Sequence, residues 1–356
     1  MKNKLFKSKT LLSLNLLVIL LLASCATSSI PMEILIPAEI NIKKDIKHLG
    51  IINRSLPARR KKIVNILEGF ISGESILADR IGSEYCLKGL AEKLNNSPRF
   101  SAVVIEGENL RGTGTRRFPV PLNWDRVKRI CEKYRVDALI ALETFDSNVH
   151  IDVDKRSVTK KVKTKDKKVK KKIKVIRYYS DLYIDVNSGW KVYDPVSERI
   201  IDVNVFRDRK RWDTKGDTRK DALRRLPSKR EAINIAGYNS GVQYGIRISP
   251  TWININREFY IKGNPALVDA KKYVRAKDWE NAIRIWKKLL SESDKKTAGR
   301  AAYNLAFAAE IRGEFDKAYK WAKESYTKYG NKKAYGYMNM IRDRITDKYI
   351  LEKQME

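Results

Sequence analysis

The sequence predicts an α+β fold, a mixed sheet laid down as strand, helix, strand, helix, strand and then an antiparallel meander, followed by an all-α module of helical hairpins. Three observations carry this. Between Ile46 and Thr144 short apolar runs of strand length alternate with helix-period stretches. From His150 to Phe206 the pattern changes to long strands without helices. From residue 262 to residue 350 the chain repeats itself at an offset of 36.

The amino terminus comes first. Lys2, Lys4, Lys7 and Lys9 form a basic start without an acid, and Leu11 to Ala23 is almost wholly apolar, the layout of a secretory signal. The run is too short for an ordinary membrane span, which needs about 20 apolar residues. Its ending, Leu22-Ala23-Ser24-Cys25, resembles the lipobox read by lipoprotein signal peptidase. That resemblance implies that residues 1–24 are removed, that the Cys25 thiol takes a diacylglycerol, and that the new amino terminus carries three acyl chains, palmitate among them. Each buried methylene contributes about 0.8 kcal/mol, so three chains hold a protein on a membrane. The alternative is a plain secretory signal that leaves Cys25 a spare thiol.

Residues 25–44 are expected to be a lipidated tether, broken by Pro31 and Pro37. The α+β domain is expected over 45–261. Ile46 to Asn53 reads as a buried strand, and Leu77 to Asn95 as a helix with Ile81, Leu87, Leu90 and Leu94 on one face. Phe100 to Ile105 is the second strand, Trp124 to Tyr134 the second helix, and Ala138 to Thr144 the third strand. The meander takes a basic hairpin, 155–174, then Val175 to Val186, Trp190 to Asp194 and Ile200 to Phe206. Helices over Arg219 to Leu226 and Ser228 to Gly241 precede a strand, Trp252 to Ile261, expected to close the domain.

The carboxyl-terminal segment, 262–350, is where the repeat lies. Asp278-Trp-Glu-Asn-Ala-Ile283 aligns with Glu314-Phe-Asp-Lys-Ala-Tyr319, close to the tetratricopeptide period of about 34 residues. Ala270 stands before Ala282 as Ala306 stands before Ala318, and such small pairs let two antiparallel helices cross closely. These features resemble tetratricopeptide-like helical hairpins, with a further helix from Lys333 to Arg344 capping the stack. Departures exist: Asp269 stands where the repeat favours leucine, the second unit lacks the early tryptophan, and Gly330 replaces the closing proline. A plain helical bundle is the competing reading.

Charge narrows the class of partner. The whole chain carries +32, and without residues 1–24 it retains 70 basic against 42 acidic residues, a formal +28. Such an excess points to an anionic partner. With an export signal, lipopolysaccharide, phospholipid headgroups or cell-wall polymer outrank nucleic acid. The excess is concentrated: from Lys155 to Lys174 twelve basic residues stand against one acid, Asp166, a net +11 in twenty positions. Val158, Val162, Val169 and Ile173 interrupt the run, as suits a protruding hairpin. Lys160, Lys161, Lys163, Lys167, Lys168, Lys170, Lys171 and Lys172 are the candidate polyanion-binding residues. A solvated loop kept open by self-repulsion is the bland alternative. No aromatic residue lies inside the run to stack on bases, which argues further against nucleic acid.

Little in the chain points to catalysis. Gly112-Thr-Gly-Thr115 with Arg116 and Arg117 lacks the context of a phosphate-binding loop and reads as a flexible turn. There is no GxSxG elbow and no HExxH, and Asp152 and Asp154 read as solvated charges among lysines. With two histidines, His48 and His150, and no clustered cysteines, neither a metal nor another cofactor is expected. Cys86 and Cys131 sit on the apolar sides of their helices and read as buried free thiols, with a bridge as the alternative.

The order of elements resembles the periplasmic domains of the TolB amino-terminal, CsgG and LpoB type. A closer resemblance is to a family of uncharacterised Bacteroidota lipoproteins, carried by INRS (Ile52 to Ser55), LNNSPRF (Leu94 to Phe100), GTGTRRFPVPLNW (Gly112 to Trp124), ICEKYRVDALIALETFD (Ile130 to Asp146), GWKVYDP (Gly189 to Pro195) and RISPTW (Arg247 to Trp252). It implies no activity. In Bacteroidota, surface-exposed lipoproteins carry acids just after the lipidated cysteine, whereas Ala26-Thr-Ser-Ser-Ile30 has none, so the expected place is the outer membrane, facing the periplasm.

The function expected from the sequence is a non-enzymatic, membrane-anchored adaptor that binds another envelope protein. Lys271, Lys272 and Arg275 on the first repeat helix, with Arg300 and Asn304 on the third, are the candidate partner face. The alternative is a polyanion-binding lipoprotein that uses the basic hairpin. A hydrolase of envelope material ranks third.

Overall fold

The computed structural model describes residues 26–55, 73–108, 110, 117–163 and 170–355. They divide into two compact units, Pro37–Thr251 with Gln354–Glu356, and Trp252–Lys353 with the chain up to Ile36.

The first unit is built on a five-stranded mixed sheet of order β3-β2-β4-β5-β6. Its strands are β2 (His48–Asn53), β3 (Ser101–Val104), β4 (Ala138–Lys163), β5 (Lys170–Asp194) and β6 (Arg199–Gly216), while β1 (Thr27–Ile36) and β7 (Thr251–Tyr260) form a separate pair. β2 runs parallel to both β3 and β4, and β4, β5 and β6 are antiparallel. Leu49 to Ile52 is an unbroken apolar run because β2 is covered on both faces. On one face Leu49 and Ile51 pack with Ile140 and Leu142 against α1 (Gly73–Asn95) and α4 (Lys229–Ile248). On the other, Ile52, Leu139 and Ala141 pack with Val127, Ile130 and Cys131 of α2 (Trp124–Tyr134). The short α3 (Arg219–Arg224) precedes α4.

Helix ends follow local chemistry. Asn123 caps α2 by accepting from the Asp125 amide at 2.8 Å, and Arg135 closes it in the left-handed region at φ 54°. The second helix therefore has the boundaries its sequence predicts. α4 runs past Gly241 to Ile248, further than expected, because its glycines mark contact rather than a stop. A Cβ at Gly241 would lie 1.8 Å from the Cys86 carbonyl oxygen, and one at Gly237 2.4 Å from that of Gly82, so α1 and α4 meet backbone to backbone.

The strands also outrun their sequence signals. Val175 to Val186 and Trp190 to Asp194 are one strand, β5, because Gly189 admits Thr144 and the Phe118 ring where a Cβ would meet them at 2.3 and 2.8 Å. β4 continues beyond Thr144 to Lys163, since β5 pairs with it residue for residue as far as Lys163↔Lys170.

The second unit corrects two expectations. The tether is a strand over much of its length: β1 pairs with β7, and Pro31 is tolerated because a two-stranded sheet consists of edges. β7 joins this pair instead of closing the five-stranded sheet. Five helices follow among the described residues, α5 (Pro265–Arg275), α6 (Trp279–Glu292), α7 (Lys295–Ile311), α8 (Phe315–Thr327) and α9 (Lys333–Met355). Asn264, Asp278 and Asp294 cap α5, α6 and α7, and Gly313 takes φ +70° in the turn before α8. The core holds Ala270, Ala282, Ala306 and Ala318 with Trp286 and Phe307, so the paired alanines do lie inside.

Candidate functional site

The basic hairpin is the distal part of β4 and β5. β6 accompanies β5 only as far as Tyr178↔Gly216, and from Lys155↔Tyr178 outward two strands continue without a third among the described residues. At about 3.3 Å per residue, the ladder from Lys155 to Lys163 extends roughly 26 Å. Alternation sorts its residues onto two faces. One carries Lys155, Ser157, Thr159 and Lys161 beside Lys172, Lys174, Ile176 and Tyr178. The other carries Arg156, Val158, Lys160 and Val162 beside Ile173, Val175, Arg177 and Tyr179.

The register sets like against like. Lys161 stands opposite Lys172 and Arg156 opposite Arg177, arrangements that destabilise a strand pair. At the base Arg156 reaches Asp154 at 3.1 Å and Arg177 reaches Asp217 at 3.4 Å. Further out, among the described residues, no carboxylate pairs with Lys160, Lys161, Lys172 or Lys174, all of them exposed. Of the other candidate lysines, Lys163 and Lys170 are register partners, Lys171 is opposite Val162, and Lys167 and Lys168 lie outside the described residues.

Nearer the sheet two arginines of β6 are matched. Arg209 grips Asp185 at 2.6 and 2.9 Å, and Arg211 grips Asp181 at 2.7 Å. Both guanidinium groups lie over the Tyr183 ring, at 5.6 and 5.8 Å. The bond from Arg209 holds the Asp185 carboxyl below the usual carboxylate range.

The helical candidates divide. Lys272 and Arg275 are exposed, with Lys272 on Asp269 at 2.9 Å, and Lys271 is half-buried. Asn304 is fully enclosed, accepting from the Tyr260 amide at 2.7 Å and donating to its carbonyl at 2.8 Å. Arg300 donates to the Lys262 carbonyl at 2.5 Å and lies over the Tyr260 ring. Phe307 stacks on Phe259, and Glu310 accepts from Arg257 at 3.0 Å and from Tyr337 at 2.7 Å. Strand β7 and helix α9 thus cover the side of α7 that holds Asn304, part of the expected partner face. Asn304 is withdrawn from the partner face and Arg300 is a latch on the Lys262 backbone. Helical periodicity identifies a stripe but not which strand lies on it.

Sequence reasoning missed a buried ionic cluster. Arg54 Nη1 donates to both Glu143 oxygens at 3.0 and 2.7 Å, and its other nitrogens donate to the Leu110 and Val120 carbonyls. Tyr193 donates to Glu143 at 2.6 Å, while Lys191 Nζ lies 4.0 Å from Glu143, 3.5 Å from the Pro119 carbonyl and over the Phe118 ring. Burial pushes the Lys191 ammonium below the ordinary lysine range against the pull of Glu143, and pushes the Tyr193 hydroxyl up, with Glu143 adding to it. Residues from INRS, GTGTRRFPVPLNW, ICEKYRVDALIALETFD and GWKVYDP therefore meet here. With Arg54 holding two carbonyls and Glu143 fully enclosed, the cluster is a clamp on Leu110 and Val120. The available signal was charge inside apolar strands: Glu143 after Ala138 to Leu142, and Lys191 between Trp190 and Val192.

Cys86 and Cys131 are free, buried, and in the cores on opposite faces of the sheet, so they do not bridge. Burial pushes the Cys131 thiol up to about 12. Among the described residues no group of histidine, cysteine and carboxylate side chains is arranged to hold a metal, and no helix is long and apolar enough to cross a membrane. Cys25 and Gly112 to Arg116 lie outside the described residues.

A family model described as a domain of unknown function, DUF8603, matches residues 46–260, and a second domain of unknown function, DUF6340, matches residues 268–352. No curated protein matches the sequence. Among solved structures, a neuraminyllactose-binding hemagglutinin homologue from Helicobacter pylori is similar at 14% identity, with 58% of this chain and 89% of that chain covered. Its TM-score is 0.19, too low for fold or ligand to transfer.

Proposed function

The chain belongs to the DUF8603 family over residues 46–260, and we propose that it is a non-enzymatic envelope lipoprotein whose distal β4–β5 arm binds polyanions. The observation that carries this is the ladder of unanswered cations, with Lys161 opposite Lys172 and no carboxylate on Lys160 or Lys174 among the described residues. A sequence that accepts like-charge pairs in an exposed ribbon gives up local stability. External anions are the simplest compensation. Lipopolysaccharide and cell-wall polymer are the partners suited to the envelope. Titration of the full chain with lipopolysaccharide and with dextran sulfate tests it. Affinity for both should fall steeply as added salt shortens the screening length from about 10 Å at 0.1 M to about 3 Å at 1 M, and neutral dextran should not bind. Failure to bind either anion at low salt contradicts the reading.

Anchoring is part of the same proposal. Leu22-Ala23-Ser24-Cys25 supports a lipid on Cys25 and an outer-membrane, periplasm-facing protein. Cys25→Ala should abolish incorporation of a fatty-acid probe, and equal labelling of the two proteins would refute lipidation.

The adaptor reading keeps one specific support. Tyr326 of α8 and Tyr335 of α9 are exposed and adjacent, with centroids 5.3 Å apart, and exposed tyrosines favour protein docking. In that reading the helices are tetratricopeptide-like hairpins that present an outer rather than a concave face.

A further inference from the structure

The arm has two unlike faces, and charge alone does not account for the second. On the first, Lys155, Lys161, Lys172 and Lys174 stand with Ser157 and Thr159, and Ile176, 59% exposed, is the one aliphatic side chain among them. On the second, four β-branched apolar side chains gather: Val158 and Val162 on β4, Ile173 and Val175 on β5. Val162 and Ile173 keep 39% and 37% of their surface exposed, with Lys160 between the valines and Arg156 and Arg177 at the base. A soluble polyanion would gain nothing from this apolar strip. An anionic leaflet offers both halves of a match, acyl chains just beneath a plane of phosphates.

We propose that the Val158–Val162–Ile173–Val175 face seats the arm on the surface of a negatively charged lipid bilayer. This rests on the polyanion-binding reading and names its partner. The side chains enter the boundary between headgroups and acyl chains, and the flanking cations contact phosphates. Each cation near an anionic leaflet strengthens partitioning by about fivefold. The seat is shallow, because a two-stranded ribbon has open edges whose amides and carbonyls require water and cannot enter the hydrocarbon. Salt therefore weakens the attachment without removing it, since the apolar part is not screened.

The test uses the full chain with Cys25→Ser and one added cysteine, Ile173→Cys on the apolar face or Thr159→Cys on the lysine face, each carrying a polarity-sensitive fluorophore. Cys86 and Cys131 are buried and stay unlabelled. Vesicles of phosphatidylglycerol and phosphatidylcholine should raise the emission of the Ile173 label severalfold and expose it to a lipid-borne quencher. The Thr159 label should change little, and dextran sulfate should move neither. Binding to the vesicles with equal responses at the two positions, or with none at Ile173, overturns the seat and leaves polyanion binding standing. Binding to neither vesicles nor dextran sulfate overturns both.

Discussion

The arm and the helical unit are both rich in surface cations, and they arrange them differently. In the helical unit Lys272 is answered by Asp269, Lys317 by Glu314, Lys328 by Glu324, Arg312 by Glu280 and Lys333 by Glu258. Exposed pairs of this kind contribute only about 0–1 kcal/mol each, so their consequence is less for stability than for the field, which they cancel locally. In the arm Lys161 faces Lys172, and the cations beyond Arg156 and Arg177 have no carboxylate among the described residues. A count of basic residues does not separate these regions. Arrangement does: the arm sets cations opposite one another on two strands, which concentrates a field open to an external anion.

The largest expected effect lies on the answered side. Glu310→Ala would leave Arg257, 15% exposed, without its carboxylate and Tyr337 without its acceptor. Removing one partner of such a buried pair costs about 3–5 kcal/mol, which a urea-unfolding series would read as a lower midpoint. An unchanged midpoint would mean that the helical unit does not depend on its ion pairs. The smallest effect, of opposite sign, lies in the arm. Lys161→Glu replaces a like pair with an opposite pair against Lys172 and should stabilise the ribbon by about 0.2–1 kcal/mol while weakening dextran sulfate binding. Loss of stability would show that the two lysines do not repel.

The same contrast explains what could be read from the sequence. The arm was legible because charge and β-branched residues occur in one contiguous stretch, and the second helix because Asn123 and the Trp124 to Tyr134 pattern are local. β1 was not, since Pro31 and Pro37 imitate a loop and its partner strand lies more than two hundred residues away, as the Thr27 to Glu258 contact measures. Gly189 and Gly241 imitate breaks for a related reason: a glycine admitted for close approach looks the same in sequence as one admitted for a turn. The Arg54–Glu143 clamp joins residues 89 positions apart, so only charges set in apolar strands hinted at it. Asn304 was placed on a surface because helix period says nothing of β7 lying over it.

Excision of the arm tests the central claim most directly. Lys155 and Tyr178 are register partners, so replacing residues 156–177 by Asn-Gly closes the ladder with a tight hairpin turn and leaves the three-stranded part of the sheet intact. The full chain and the shortened chain would be compared for the salt concentration that releases each from immobilised dextran sulfate, with melting temperatures measured alongside. The account predicts that the shortened chain elutes at low salt with its melting temperature unchanged. Equal retention of the two proteins would contradict it and place polyanion binding elsewhere on the molecule.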